Sequence, residues 1–213
     1  MKPDYQIKQV KLFNIDCMDF MKEIPDNYYE LAIVDPPYGI GFDGQKECDK
    51  TNRIGYEFKK WDSAIPDKSY FRELMRVSKS QIIWGGNYMT DHLFQSRCWI
   101  IWDKMQKFSG SDFEMAWTNF NRPSKAFRLS RVEAYTHQTK IHPTQKPRRL
   151  YKWILENYAK EGFKIFDSHG GSFSSACACL DMGFEFDGCE IDKEYFDNAV
   201  ERLKNNVQDY LDF

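Results

Sequence analysis

The chain alternates short apolar runs of strand length with stretches in which apolar residues recur every three or four positions. The runs predict seven strands, at Val10–Asn14, Leu31–Val34, Gln81–Trp84, Trp99–Trp102, Glu114–Thr118, Lys164–Phe166 and Phe184–Cys189. Between them Phe71, Leu74, Met75 and Ser78 trace one helical face, and Leu150, Trp153, Ile154 and Tyr158 a second. Phe196, Ala199, Val200, Leu203 and Val207 trace a third. Strands alternating with helices predict an α/β fold, a mostly parallel sheet with helices on both faces. Two stretches break the pattern: 39–60, rich in Gly and charge, and 119–142, polar and basic. Loops of that length in a compact domain are usually functional. The expected organisation is one domain over 1–213, with 39–60 as a mobile loop and 119–142 as a basic insertion.

Composition narrows the class. Hydrophobic residues at 42% and aromatics at 16% exclude intrinsic disorder. No apolar run approaches the roughly 20 residues that span a bilayer, and MKPDYQIKQV is not a signal sequence, so a cytoplasmic protein without membrane contact is expected. The six cysteines lack the paired spacing of zinc sites, which predicts buried thiols and no metal.

The most informative segment is LAIVDPPYG, an apolar strand running into Asp35-Pro36-Pro37-Tyr38. Two prolines fix φ and remove two backbone donors, so the chain leaves the sheet there as a rigid acceptor site. At the carboxyl edge of an α/β sheet, where ligands bind, it presents a carboxylate, backbone carbonyls and a ring. That set suits transfer of a group to an exocyclic amine of a nucleobase. Asp35 and the Pro36 carbonyl would accept from the amine, and Tyr38 would stack on the base. The plainer reading is a strand-ending turn. Trp102 and Trp117, at strand ends, are either core rings or walls of such a base pocket.

A second segment reads as a ligand turn: strand 164–166, Asp167, Gly170-Gly171-Ser172, then a helix starting near Phe173. Small residues there allow a ligand to approach backbone N–H groups. Glu190 follows Asp167 by 23 positions, close to the roughly 20-residue offset at which a carboxylate reaches ribose hydroxyls in doubly wound folds.

Taken together, KLFNIDCMDFMKEIPDNYYELAIVDPPYG, IHPTQKP, WIIWDKMQKFSGSDFEMAWTNF and KIFDSHGGSFSSACACLDMGFEFDGCEID resemble segments of the DNA amino-methyltransferases. These methylate adenine N6 or cytosine N4. The order resembles the permuted subgroup with the catalytic motif ahead of the cofactor motif. The resemblance implies a seven-stranded, Rossmann-like fold, S-adenosylmethionine as methyl donor and DNA as partner. It gives Asp35, Pro36, Pro37 and Tyr38 the catalytic role. Asp16, Cys17, Asp35, Pro36, Thr144, Lys146, Asp167, His169, Gly171, Ser172 and Glu190 become cofactor residues, Asp16 toward the adenine and Glu190 toward the ribose. Asp at the first motif position favours adenine N6. Cytosine N4, or a catalytically silent nucleic-acid binder, are the alternatives.

The turn departs from the family's usual Asp-Pro-Phe-x-Gly-Ser-Gly: Asp167 is followed by Ser168, His169, Gly170, Gly171, Ser172 and Phe173. A ring stands where a glycine is usual, and it is expected to point into the core with Ala176, Cys177 and Leu180. His169 would take the place of the missing phenylalanine.

A net charge of −2 does not announce a nucleic-acid binder, but the charge is segregated. Residues 122–149 carry eight basic side chains against one acidic, and 181–213 carry ten acidic against three basic. Arg122, Lys125, Arg128, Arg131 and Lys140 are the expected phosphate contacts, together with loop 39–60. A chain this small has limited surface for gripping a duplex, which leaves room for a homodimer.

Overall fold

The structure, a computed structural model, describes residues 1–44, 46, 55–105, 111–136 and 140–211. Nine strands form one mixed sheet. They are β1 (Tyr5–Ile7), β2 (Val10–Phe13), β3 (Tyr29–Val34), β4 (Ser78–Trp84), β5 (Trp99–Asp103), β6 (Phe113–Thr118), β7 (Lys125–Arg128), β8 (Lys164–Asp167) and β9 (Glu185–Cys189). The helices are α1 (Cys17–Lys22), α2 (Lys68–Val77), α3 (Arg131–Tyr135), α4 (Arg148–Tyr158), α5 (Ser174–Met182) and α6 (Lys193–Leu211). The strand order is β1-β2-β9-β8-β3-β4-β6-β5-β7. The run from β2 to β4 is parallel throughout.

The sheet is covered on both faces because its central strands are apolar on both. Leu31 and Ile33 of β3 pack with residues of α4 and α5, whereas Ala32 and Val34 pack with residues of α1 and α2. Such near-continuous apolar runs are what a doubly covered parallel strand requires.

The expected seven strands are nine among the described residues. β1 is a three-residue edge strand turned back on β2, too short to show a pattern. β7 reads KAFR and pairs with β5 at the other edge, its charged ends exposed, so it carries no apolar run. It lies inside the basic stretch 119–142, whose described residues hold both β7 and α3. Ser78, placed by its spacing on a helix face, starts β4. Its hydroxyl still donates to the Leu74 carbonyl at 2.6 Å, so the side chain faces the helix while the backbone is extended. Residues 45 and 47–54 of the expected mobile loop, with Cys48, lie outside the described residues. Of the cysteines described, Cys98, Cys177, Cys179 and Cys189 are buried and Cys17 is half-buried. Among the described residues no helix is long and apolar enough to cross a membrane, and no metal-ligating cluster occurs.

The chain leaves β3 toward β4 on one side, and leaves β8 toward β9 on the other. The carboxyl ends of β3 and β8 thus flank a topological switch point, where open α/β sheets bind ligands.

Candidate active site at the switch point

Four neighbouring parallel strands each deliver a carboxylate to this edge: Asp16 after β2, Glu190 after β9, Asp167 ending β8 and Asp35 after β3. A cleft of about 270 Å³ opens beside them. Asp16, Cys17, Pro37, Ile65, Tyr70 and His169 are among its walls. Its walls combine apolar and aromatic surface with the carboxylates of Asp16 and Asp67.

Asp35 is held on both oxygens. The Tyr38 hydroxyl donates to Oδ1 at 2.6 Å, and the Lys146 ammonium donates to Oδ2 at 2.5 Å and to the Tyr38 oxygen at 3.0 Å. Lys146 also meets Glu114 of β6 at 3.1 Å, and Glu114 meets Lys104 at 2.9 Å. Burial raises the Asp35 carboxyl above its ordinary range, against the pull of Lys146 and Tyr38. Burial also works against charge on Lys146 and Glu114, but their partners outweigh it. Asp35 and Glu114 keep the Lys146 ammonium charged, and Lys146 and Lys104 hold Glu114 at about 2.

The loop after Tyr38 hangs on a residue the sequence did not single out. Buried Asp62 accepts from the backbone N–H groups of Tyr38, Gly39 and Phe42 at 2.6, 2.8 and 2.8 Å. Nothing in its spacing marks it, because its partners are main-chain groups.

Tyr38 itself is backed by Gly85. A Cβ there would sit 2.1 Å from the Tyr38 ring, and Gly85 has φ +67°. Tyr88, half exposed, stacks on Tyr38 with centroids 5.3 Å apart. Gly85→Ala is therefore expected to push Tyr38 off Asp35, costing about 1–3 kcal/mol of stability and roughly 30-fold in turnover. Denaturant unfolding and steady-state kinetics read the two effects.

The remaining cofactor candidates fall into two groups. His169, Asp16 and Cys17 line the cleft; His169 lies edge-on to Tyr70, and its Nδ1 contacts the Ser168 hydroxyl, which contacts Tyr70. Burial lowers His169 to about 4, so the ring is neutral, and burial followed by Asp16 pushes the Cys17 thiol up to about 12. Glu190 spans the turn, accepting from Gly171 N–H at 2.7 Å and Asp192 N–H at 2.8 Å. Asp167 accepts from Ser175 at 2.5 Å and from His169 N–H at 3.1 Å, and burial pushes it up to about 7. Ser172 is buried with Ser174, and Thr144 contacts His142, whose ring is 3.5 Å from where a Gly171 Cβ would stand. Lys146, grouped by the resemblance with the cofactor residues, donates to Asp35, another of that group. Neither Asp35 nor Pro36 lines the cleft; Pro37 does.

The two strand-end tryptophans belong to the core. Trp102 and Trp117 are buried and donate to the carbonyls of Leu129 and Phe94 at 3.0 and 2.9 Å. Among the basic candidates, Arg122 is taken up by α4, bonding the Asn157 carbonyl and lying 3.6 Å from the Tyr158 ring centre. Lys125 donates to Asn157 and Lys140 to the Pro143 carbonyl, both at 2.7 Å. Burial, followed by Arg131, lowers Lys140 to about 8. Arg128 and Arg131 are exposed, Arg128 lying 3.4 Å from Asp103.

A family model described as DNA methylase matches residues 101–201. The chain is 25% identical to the Type II methyltransferase M.HpaI of Haemophilus parainfluenzae, over 94% of this chain and 76% of that protein. It is 27% identical to the DNA adenine methyltransferase YhdJ of Escherichia coli K12, over 88% and 80%. Among solved structures, PvuII DNA methyltransferase, cytosine-N4-specific, aligns at TM-score 0.65 and 13% identity, over 97% and 94% of the two chains. The M1.HpyAVI–SAM complex aligns at 0.60 and 16%, over 91% and 98%. At these identities the solved structures establish the fold, and the sequence relatives and the family model carry the kinship. The chain is thus similar over most of its length to DNA methyltransferases, and over residues 101–201 to the DNA methylase family model.

Proposed function

We propose that the protein transfers a methyl group from S-adenosylmethionine to the N6 amine of an adenine turned out of the DNA helix. Methyl transfer to DNA is the family's chemistry. The adenine assignment is supported by Asp at the first motif position and by the adenine-specific relative YhdJ. The observation that carries the reading is the Asp35 carboxylate, fixed by Tyr38 beside an acidic cleft of nucleoside size.

When bound, S-adenosylmethionine supplies an electrophilic methyl group. Asp16, Cys17 and His169 would hold its adenosine, with Glu190 across the Gly171 turn toward the ribose. The acidic edge favours a ligand bearing sulfonium and ammonium charge. Asp35 accepts N–H from the target amine, orients its lone pair, and takes the proton the amine sheds once it carries the methyl group. A carboxyl raised by burial is a better acceptor for that proton than a solvated one. Positioning and exclusion of water supply most of the remaining effect. The exposed Arg128 and Arg131 would meet phosphates.

The test uses purified protein, methyl-labelled S-adenosylmethionine and DNA of mixed sequence, with the nucleosides separated by mass spectrometry. Labelled N6-methyladenine is the expected product. N4-methylcytosine alone would overturn the target, and no label in DNA would overturn the activity.

A further inference from the structure

Lys104, Glu114, Lys146 and Asp35 form an alternating ladder of charge leading from the end of β5 to the catalytic carboxylate. Its inner members are well shielded: the side chain of Lys146 is 3% exposed and that of Asp35 is 17% exposed. Each Asp35 oxygen already holds a donor, Tyr38 on one and Lys146 on the other, and the shielded side chain leaves little room around either for a third. In so enclosed a place, the direct way for a target amine to donate to Asp35 is to take the position of one of them. The Tyr38 hydroxyl is fixed by its ring, packed between Gly85 and Tyr88. Lys146 is different, because its ammonium already has Glu114 at 3.1 Å and the Tyr38 oxygen at 3.0 Å as alternative acceptors.

Building on the proposed methyl transfer, we infer that Glu114 is a positioning residue: it receives the Lys146 ammonium when the target amine takes its place on Asp35. Without Glu114 the displaced ammonium would be buried beside only a neutral hydroxyl, and an unpaired buried charge is strongly unfavourable. Lys146 would then stay on Asp35 and compete with the substrate. Lys104 moderates the exchange by sharing Glu114, so removing Lys104 should draw Lys146 further from Asp35.

Two variants of the full chain test this, each assayed for cofactor binding, for turnover against pH and for the ionisation of Asp35. Glu114→Gln should lower kcat roughly 10- to 100-fold, with the dissociation constant for S-adenosylmethionine within about twofold of the native value. The acid limb of kcat reports Asp35, which must be ionised to accept. The charged and titratable groups facing Asp35 are Lys146, Glu114, Tyr38, Tyr70, Tyr151 and Asp167. Of these Glu114→Gln alters Glu114 alone. Losing that negative charge moves the limb to lower pH, and losing a positive charge in Lys104→Met moves it to higher pH, each by about half a unit to one unit. Lost charge alone would move the limb without lowering the plateau of kcat, so the roughly 10- to 100-fold plateau loss in Glu114→Gln, with cofactor affinity kept, is the readout that identifies positioning.

Carbon-13 spectra of aspartate-labelled protein, free of cofactor and DNA, read the same two shifts at the Asp35 carboxyl without any turnover. If the native chain transfers no methyl group, the proposed activity fails while these spectra still test the ladder. Native-like kcat in Glu114→Gln, or an Asp35 titration unmoved or moved the same way in both variants, would overturn the inference. Should Glu114→Gln fail to fold, Lys104→Met tests the ladder alone: an upward shift supports it, and an unmoved or lowered Asp35 titration overturns it.

Discussion

Asp35→Asn should lower methyl transfer about 10³-fold while leaving S-adenosylmethionine bound with an affinity within about threefold of native. Asn keeps the shape of the side chain and one acceptor oxygen, so the effect isolates the charge. Two functions are lost together. The amide cannot take the proton from the methylated amine, and its NH₂ group repels the amine N–H that a carboxylate would accept. Affinity for the donor is expected to survive because Asp35 is not among the walls of the 270 Å³ cleft. The fold should survive as well. Lys146 keeps Glu114 and the Tyr38 oxygen as partners, so the stability cost should be about 1–3 kcal/mol, below that of stranding a buried charge. Isothermal titration with S-adenosylmethionine and single-turnover transfer to DNA separate the two effects. Turnover within about tenfold of native would remove Asp35 from proton acceptance. Loss of cofactor binding would instead place it in the donor site.

The parts of this site that were legible in the sequence are those encoded by local covalent geometry. Pro36 and Pro37 after an apolar run announce a strand end with fixed exit, and the structure places β3 ending at Val34. The Gly170–Ser172 turn between strand and helix was legible for the same reason, as was the offset from Asp167 to Glu190. The sequence did not reveal which side chains meet across the sheet. Lys146 lies 111 positions from Asp35, and Glu114 comes from a strand two places beyond β3. Neither has a spacing signature, because the contact exists only once β6 pairs with β4. Asp62 escaped notice because three backbone N–H groups leave no trace in residue identity. β7 escaped because an edge strand with charged ends is built to look unlike a strand, which is how edges avoid pairing with other chains. Charge segregation gave a basic region, yet Arg122 turned out to be anchored on Tyr158 and Asn157. Counting charges cannot distinguish a phosphate ligand from a cation already bound.

Phe173 is the residue at which the turn departs most from its family, and it gives the second large expectation. Its backbone is left-handed, φ +49°, a conformation that costs a residue bearing a Cβ about 1–2 kcal/mol. The ring is fully buried, edge-on to Phe186 and Phe196 at centroid distances of 6.3 and 6.5 Å. Gly170 and Gly188 make room for it: a Cβ on either would come within 2.2 or 2.6 Å of its atoms. The ring thus forms a floor beneath the Gly170–Ser172 turn, and its burial offsets the strained backbone. Phe173→Ala removes the ring and keeps the strain, and should destabilise the fold by about 3–5 kcal/mol, a large share of the 5–15 kcal/mol typical of a domain. Phe173→Gly removes one carbon more but relieves the backbone, so it should be more stable than the alanine variant by about 1 kcal/mol, reversing the usual order of these two residues. Urea unfolding of the three proteins measures both differences. An alanine variant within about 1 kcal/mol of native would show that the ring is not what supports the turn. A glycine variant less stable than the alanine one would show that the left-handed conformation carries no strain. If the order is as expected, both variants should also bind S-adenosylmethionine more weakly, because Gly171, which donates to Glu190, stands on that floor.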